Sequence, residues 1–124
     1  MRLLVIGGTR FVGRHVVEAA LRRGHEVTLV HRTATDLFPG AEHVLADRDG
    51  DLAALDGRTF DATVDMCAYL PRQVRHVVGA LGERAGRYLL ISSTSVYAEP
   101  AGPAFDESSP TVPAAGDAVD VVTD

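Results

Sequence analysis

The sequence predicts an α/β fold in which helices cover both faces of a parallel sheet. Two observations carry this prediction. Short uninterrupted apolar runs alternate along the chain with longer segments of helical periodicity, and the first apolar run stops at two glycines that open the first helix. The chain has 124 residues, 46% of them hydrophobic and 23% charged, which is enough for one small domain with a packed core.

Five strands are predicted, each a short run rich in apolar residues: Arg2–Ile6, Glu26–Val30, Glu42–Ala46, Phe60–Met66 and Arg87–Ser92. Helices are predicted over Phe11–Arg23 and Pro71–Arg84, with a single helical turn over Asp51–Leu55. This alternation predicts a Rossmann-like doubly wound parallel sheet with strand order 3-2-1-4-5, truncated after strand five.

Residues 1–97 are expected to form this partial domain, and residues 98–124 an acidic loop or tail. All 12 basic residues, every one an arginine, precede residue 98, whereas the last stretch holds six acids and four of the six prolines. The net charge of −5 argues against general nucleic-acid binding. One cysteine excludes a disulfide framework, and no apolar run approaches the ~20 residues that cross a bilayer. We therefore expect a cytoplasmic protein with no membrane partner, and we predict no metal site.

The segment Gly7-Gly8-Thr9-Arg10-Phe11-Val12-Gly13 lies between the first strand and the first helix. Gly7 permits a sharp turn out of the strand, and Gly8 is expected to keep side-chain bulk away from a bound pyrophosphate. Gly13 lets the helix pack closely on the first strand. The amides at the helix start and the helix dipole then favour phosphate groups. The segment predicts a dinucleotide site, and a tight turn without ligand is the alternative.

On these residues the chain resembles the N-terminal portion of the extended short-chain dehydrogenase/reductases, the NAD-dependent epimerase/dehydratase family. That family shows Gly-x-x-Gly-x-x-Gly, which this sequence matches at Gly7 and Gly13 but not at Arg10. The pattern is most similar to a subset reading Gly-Gly-Thr-Arg-Phe-hydrophobic-Gly, which includes reductase-like proteins and relatives described as RNA-binding. The resemblance implies these cofactor-binding residues: Gly7, Thr9, Arg10, Phe11, Val12, Gly13, His31, Arg32, Asp47, Cys67 and Ala68.

Three further matches extend the resemblance. Asp47 corresponds to the family's acidic position beside the adenine ring, and Cys67 and Ala68 to the segment whose backbone lines the cofactor. Ser93, aligned through Val96 and Tyr97, corresponds to the catalytic serine or threonine. The alternatives are a solvated carboxylate at residue 47, a core residue at 67 and, at 93, a serine whose side chain hydrogen-bonds the backbone of its own strand end.

The end of the second strand indicates which dinucleotide is bound. An acid there would accept hydrogen bonds from the ribose 2′-hydroxyl and repel a 2′-phosphate. Here His31-Arg32-Thr33 follows, with no acid before Asp36. Arg32 and Arg10 could both face a 2′-phosphate, so NADP is favoured slightly over NAD, with a solvated Arg32 as the alternative.

The family's acid–base pair, Tyr-x-x-x-Lys, is missing because the chain contains no lysine. The chain is therefore interpreted as the NAD(P)-binding N-terminal part of an epimerase, dehydratase or reductase whose substrate pocket lies elsewhere. The substrate would be a small molecule, and a homo-oligomer is possible. The alternative function is a non-catalytic dinucleotide-sensing or RNA-associated module on the same fold, since fold alone does not choose between them.

Overall fold

The computed structural model describes residues 1–98 and 106–113. Contacts between Cα atoms divide the chain into two compact units, Met1–Ile91 and Ser92–Asp124. The first unit holds the sheet and both helices. The division of the chain at residue 97, drawn from composition, stays a prediction.

The first unit is a five-stranded sheet in the order β3-β2-β1-β4-β5, and every neighbouring pair is parallel. This confirms the predicted Rossmann-like fold. The strands are β1 (Arg2–Ile6), β2 (Glu26–His31), β3 (Glu42–Leu45), β4 (Ala62–Asp65) and β5 (Arg87–Leu90). The helices are α1 (Phe11–Arg22) and α2 (Pro71–Leu81), with 3₁₀ turns at Ala53–Leu55, Gly82–Ala85 and Thr94–Val96.

Two apolar clusters form the core, one on each face of the sheet. Alternate residues of the central strand β1 supply both, because successive side chains of a strand point to opposite faces. The cluster on the α1 side contains Leu3, Val5, Val17, Ala20, Val27, Leu29 and Phe38. The cluster on the α2 side contains Leu4, Ile6, Val30, Val44, Leu52, Leu55, Phe60, Val77, Leu81 and Ala85. Burial on both faces explains why β1 is an unbroken apolar run.

Several predicted elements are shorter in the structure. The helix predicted to reach residue 84 ends at Leu81, because Gly82 has φ +55° and ψ −137°, which no α-helical residue adopts. The chain continues as a 3₁₀ turn over Gly82–Ala85. The fourth strand, predicted over 60–66, pairs only over Ala62–Asp65.

The described residues of the second unit form a short antiparallel contact. Tyr97 bridges Thr111, the amide of Ala98 donates to Pro110 O at 2.9 Å, and the amide of Val112 donates to Val96 O at 2.9 Å. A turn at Asp106 precedes this contact, with its carboxylate accepting from the backbone and side chain of Ser108. These hydrogen bonds lower the pKa of Asp106.

In the part of the chain that the structure describes, no helix combines the length and apolarity needed to cross a bilayer.

Candidate functional site

The parallel strands bring the ends of β1, β2, β3 and β4 to one edge of the sheet. Backbone hydrogen bonds continue past these ends: the amide of Gly7 donates to Val30 O and that of Met66 to Ile6 O, both at 3.0 Å, and that of Ala46 to His31 O at 3.1 Å. The crevice outside the carboxyl ends of such strands is where open α/β sheets bind ligands. Residues 7–13, 31–32, 47 and 67–68 all follow or end these strands, so the fold brings the predicted site residues to this edge.

Gly7 lies at the turn out of β1 and has φ +80°, a conformation that glycine adopts without steric cost. A Cβ at this position would lie 2.6 Å from Cys67 Sγ. Cys67 therefore packs against the glycine turn, and a side chain on Gly7 would displace the segment after β4.

Gly8 has a different role from the one predicted. A Cβ there would lie 2.7–2.9 Å from side-chain atoms of Val17, Leu29 and Val5, all in the core. The missing side chain thus lets α1 approach the sheet, and it does not clear space for a pyrophosphate. The prediction for Gly8 was wrong because the sequence does not show toward which side of the turn its Cβ vector points.

Gly13 permits a close approach, as predicted, and its partner is the glycine turn itself. A Cβ at Gly13 would lie 2.9 Å from Gly8 Cα and 3.0 Å from Gly7 O. Real Cβ atoms essentially never approach within 3.0 Å. The first turn of α1 therefore lies directly on the backbone of the loop.

Helix α1 begins without a side-chain cap. Its N-cap residue, Arg10, is extended and makes no capping hydrogen bond, and the first turn contains no acidic residue. The amides of a first turn have no partner within the helix, and the helix dipole makes this end electropositive. Phe11 has φ +43° and is 86% exposed, so a strained apolar residue begins the helix. Thr9 is half-buried, and Val12 is exposed.

Cys67 and Ala68 are half-buried after β4. Burial raises the pKa of the Cys67 thiol, and hydrogen bonding to Arg48 together with the charges of Arg48 and Arg32 opposes the rise. The thiol is thus protonated at neutral pH. Arg32 itself is exposed.

His31 is buried, and both of its ring nitrogens have partners within the protein. Nδ1 lies 2.7 Å from Thr33 O, and Nε2 lies 2.8 Å from His43 Nδ1. His31 thus contributes to this end of the sheet by holding the backbone at Thr33. Asp47 is exposed, and its carboxylate accepts from the amide of Asp49 at 2.9 Å.

The sequence analysis missed a buried polar network beneath this edge. Arg48 donates to both carboxylate oxygens of Asp65, at 2.6 and 2.8 Å, and to Gln73 O at 2.9 Å. The Asp65 carboxylate also accepts from the Tyr88 hydroxyl and, at 3.2 Å, from the amide of Cys67. Side-chain exposures are 8% for Arg48 and 0% for Asp65. The network joins the segments after β3 and β4, both of which contain predicted site residues.

Burial and hydrogen bonding determine the protonation of this network. Burial works against the charge of Arg48, but its hydrogen bond and proximity to Asp65 outweigh that effect and raise its pKa further. Burial and the hydrogen bond to Asp65 raise the pKa of Tyr88 well above its usual value. The network therefore contains an ion pair and a neutral tyrosine whose hydroxyl donates a hydrogen bond to the carboxylate.

Ser93, the predicted catalytic serine, is exposed at the start of the 3₁₀ turn in the second unit. Its Oγ accepts from the amide of Ser95 at 3.1 Å, and its hydroxyl lies 3.0 Å from Ser95 Oγ. The side chain thus caps the turn, as a serine at this position commonly does. Among the described residues no group of three or more His, Cys, Asp or Glu side chains could hold a metal ion.

A groove of about 500 Å³ opens at the other edge of the sheet, where the strands begin. Three of its four charged side chains have partners: Arg58 lies 2.7 Å from Glu42, and Arg2 lies 3.8 Å from Asp61. This groove lies away from the glycine turn, and we do not assign it to the same site.

Sequence comparison places the chain beside known proteins. The sequence model described as the NAD dependent epimerase/dehydratase family matches residues 3–83. The chloroplast stem-loop binding protein of 41 kDa b of Arabidopsis thaliana is 28% identical over 114 residues, which cover 77% of this chain and 30% of that protein.

Solved structures share the fold. A UDP-galactose 4-epimerase superposes with a TM-score of 0.72 at 22% identity, covering 91% of this chain and 45% of that one. The Bordetella bronchiseptica enzyme WbmG, solved in complex with NAD, superposes with a TM-score of 0.70 at 22% identity, covering 91% and 44%. The chain thus spans less than half the length of these proteins.

Proposed function

Because the chain belongs to the NAD-dependent epimerase/dehydratase family, we propose that it is the NAD(P)-binding N-terminal part of an epimerase, dehydratase or reductase of the extended short-chain dehydrogenase type. The observation that carries this proposal is the contact between Gly13 and the Gly7–Gly8 turn, in which a Cβ on Gly13 would lie 2.9 Å from Gly8 Cα. Such close packing aims the first-turn amides of α1 at the crevice beyond β1 and β4.

The pyrophosphate of the dinucleotide binds at the amides of Thr9–Val12. Those amides have no acid or capping side chain to compete with an anion, and the helix dipole favours negative charge there. The exposed ring of Phe11 lies at the same end of α1 and contacts the cofactor. Its positive φ is the kind of local strain that clusters at ligand sites. Cys67 and Ala68 line the crevice from β4, and Asp47 lies on the adenosine side.

NADP is the preferred dinucleotide. Arg32 directly follows β2, it is exposed, and no acid lies between it and Asp36. A 2′-phosphate bound there would receive charge-assisted hydrogen bonds from Arg32, with Arg10 contributing from the start of α1. One such bond contributes roughly 1.5–3 kcal/mol, which corresponds to about 10- to 150-fold discrimination.

Titration calorimetry with NADP⁺ and NAD⁺ tests both parts of the proposal. Wild type should bind both dinucleotides, NADP⁺ more tightly. Arg32→Gln should reduce the ratio of the two affinities toward one while leaving NAD⁺ affinity nearly unchanged. Arg87→Gln is the matched control, because it removes the same charge from an exposed arginine at the start of β5. Absence of binding to either dinucleotide contradicts the cofactor assignment, and an equal or NAD⁺-favouring ratio in wild type contradicts the NADP preference alone.

Ser93 is the proposed catalytic residue of this part of the enzyme. When bound, the nicotinamide supplies or accepts a hydride. The Ser93 hydroxyl would hydrogen-bond and orient the substrate oxygen, which would replace Ser95 Oγ as its acceptor. A serine alone has no base to activate it, and the chain has no lysine with which to complete the family's Tyr-x-x-x-Lys pair.

A further inference from the structure

The segment that follows β4 contacts the glycine turn through the side chain of Cys67. A Cβ on Gly7 would lie 2.6 Å from Cys67 Sγ, and the same sulfur lies 3.8 Å from Ile6 O. The amide of Cys67 donates to Asp65 Oδ1 at 3.2 Å, so the turn out of β4 depends on where that carboxylate lies. The orientation of Asp65 therefore affects how this segment meets the glycine turn.

Arg48 holds the Asp65 carboxylate with two parallel hydrogen bonds. Its guanidinium donates to Oδ1 at 2.6 Å and to Oδ2 at 2.8 Å. The same guanidinium donates to Gln73 O at 2.9 Å and lies 3.8 Å from Cys67 Sγ. Because both groups are planar, a bidentate pair fixes direction as well as distance. Arg48 therefore fixes the orientation of Asp65 relative to the segment that follows β3.

Gln73, itself buried, connects the same two segments beside the ion pair. Its side-chain oxygen accepts from the amides of Tyr69 and Leu70, at 2.8 and 3.1 Å. Its side-chain nitrogen donates to Asp49 Oδ2 at 2.8 Å. The segments after β3 and β4 are thus held together at two places.

A buried ion pair is an inefficient way to stabilise a fold. The side chains of Arg48 and Asp65 are 8% and 0% exposed, so both have lost most of their hydration. An apolar pair of similar volume often gives equal or greater stability, because it loses no hydration of charge. An apolar pair does not, however, set a direction and a spacing between two segments. This difference favours a role in positioning for the pair.

We propose that Arg48 is a positioning residue for dinucleotide binding, which acts through Asp65 to hold the Cys67–Ala68 side of the crevice against the glycine turn. This inference rests on the proposed function. Asp47, proposed to lie on the adenosine side, directly precedes Arg48, so the ion pair also fixes the spacing between the two sides of the crevice. The charges of Arg48 and Asp65 cancel, so the pair acts on the cofactor through the shape of the crevice.

Calorimetry with NAD⁺ on Arg48→Met/Asp65→Asn tests the proposal. NAD⁺ lacks the 2′-phosphate, so its affinity does not depend on the proposed contact with Arg32. The double variant has the net charge of wild type and no unpaired buried charge, so we expect it to fold. Its NAD⁺ affinity should nevertheless be at least about tenfold lower, because small displacements of site groups have effects of this size.

Thr63→Val is the matched control. Thr63 is 0% exposed on the same strand as Asp65, and its hydroxyl donates to Ala85 O at 2.8 Å, toward the start of β5. Loss of this buried hydrogen bond should lower stability, because it leaves the carbonyl without that partner. The affinity for NAD⁺ should stay at the wild-type value.

Hydrogen exchange at the Cys67 amide, measured by NMR without cofactor, separates positioning from stability. In wild type and Thr63→Val this amide should remain protected relative to the core amides of β1. In Arg48→Met/Asp65→Asn its exchange should be at least about tenfold faster on the same relative scale, because the side chain at position 65 has lost the partner that orients it. Equal relative protection in all three proteins would contradict the positioning role.

The binding data have equally definite outcomes. Equal NAD⁺ affinity of the double variant and wild type overturns the proposal, and so does an equal loss in Thr63→Val, which would tie binding to stability alone. If the double variant does not fold, Arg48→Lys decides. Lysine keeps the buried charge paired but lacks the planar fork, so it should bind NAD⁺ more weakly, and an affinity equal to that of wild type overturns the proposal. A wild-type chain that binds no dinucleotide contradicts the proposed function itself and overturns both.

Discussion

At the scale of single residues, Gly13 determines how closely helix α1 approaches the glycine turn. Its hydrogen atom occupies the place where any other residue would put a Cβ, 2.9 Å from Gly8 Cα and 3.0 Å from Gly7 O. Both neighbours are backbone atoms, which cannot rotate away as a flexible side chain can. A substitution must therefore move the helix or the turn, and either movement disturbs the amides proposed to bind the pyrophosphate.

We predict that Gly13→Val lowers the free energy of unfolding by about 1–3 kcal/mol through overpacking and weakens dinucleotide binding by more than tenfold. Gly79→Val is the matched control, because Gly79 lies within α2 and has nothing within 4 Å of its Cβ position. Urea denaturation and calorimetry with NADP⁺ provide the two measurements. If Gly13→Val behaves like Gly79→Val in both, the loop has no role in close packing or binding.

Arg48 is the residue whose removal should affect stability most at this edge. Arg48→Met leaves the Asp65 carboxylate, 0% exposed, without its cationic partner. Breaking a buried ion pair in this way costs about 3–5 kcal/mol. Adding Asp65→Asn to Arg48→Met removes the uncompensated charge and should recover part of that loss. The four proteins of this double-mutant cycle can be compared by chemical denaturation; equal stability of Arg48→Met and wild type would contradict the role of the pair.

Sequence alone could place Arg48 only in the alternating charges Asp47-Arg48-Asp49, where a solvated turn is the ordinary interpretation. Its partner, Asp65, lies 17 residues further on. The two meet because the segments that follow β3 and β4 come together beneath one edge of the sheet, a tertiary relation that no local pattern encodes. The same holds for His31 and His43, whose pairing depends on the register between β2 and β3.

At the scale of elements, the order of the strands was predictable and their ends were not. The glycine turn after β1 and the alternation with helices fix a parallel sheet of known handedness. Strand ends depend on which backbone groups find a partner: Met66 still donates to Ile6 O beyond β4, although the strand ends at Asp65. Apolar composition runs past the ends of β3, β4 and β5, so these three strands were predicted too long, whereas β1 was predicted with its observed bounds and β2 one residue too short.

The entry into β5 provides a test at this scale. Gly86 has φ +61° just before the strand, and a Cβ there would lie 2.4 Å from Asp61 O. Gly57 has φ +71° with nothing within 4 Å of its Cβ position. Gly57→Ala should cost about 1–2 kcal/mol from its left-handed backbone alone, whereas Gly86→Ala should cost about 1–3 kcal/mol more from the clash. Equal losses in urea denaturation would show that β5 begins with more freedom than the structure indicates.

At the scale of the whole molecule, the 124 residues contain the proposed dinucleotide crevice but not the tyrosine–lysine pair of the family that the chain resembles. The strands that form the crevice, the glycine turn and the start of α1 all lie within the first unit, Met1–Ile91. Ser93, the serine proposed to orient the substrate, belongs to the second unit, Ser92–Asp124. The family resemblance calls for a tyrosine and a lysine in addition, and a chain without lysine cannot provide that pair.

We therefore predict that the 124-residue chain binds NADP(H) but catalyses no measurable hydride transfer. In the family it resembles, the lysine's charge lowers the pKa of the tyrosine from its ordinary value of about 10 toward working pH, which lets the tyrosine exchange a proton with the substrate oxygen. Such acid–base catalysis is typically a factor of about 10²–10⁴, and loss of substrate positioning reduces the rate further. The measurement compares this chain with a polypeptide extended through a downstream Tyr-x-x-x-Lys, using carbonyl and nucleotide-sugar substrates with NADPH and NADH. Comparable turnover by both would mean that the proton-transfer group lies within these 124 residues, and dinucleotide binding without turnover by the extended polypeptide would favour the non-catalytic alternative.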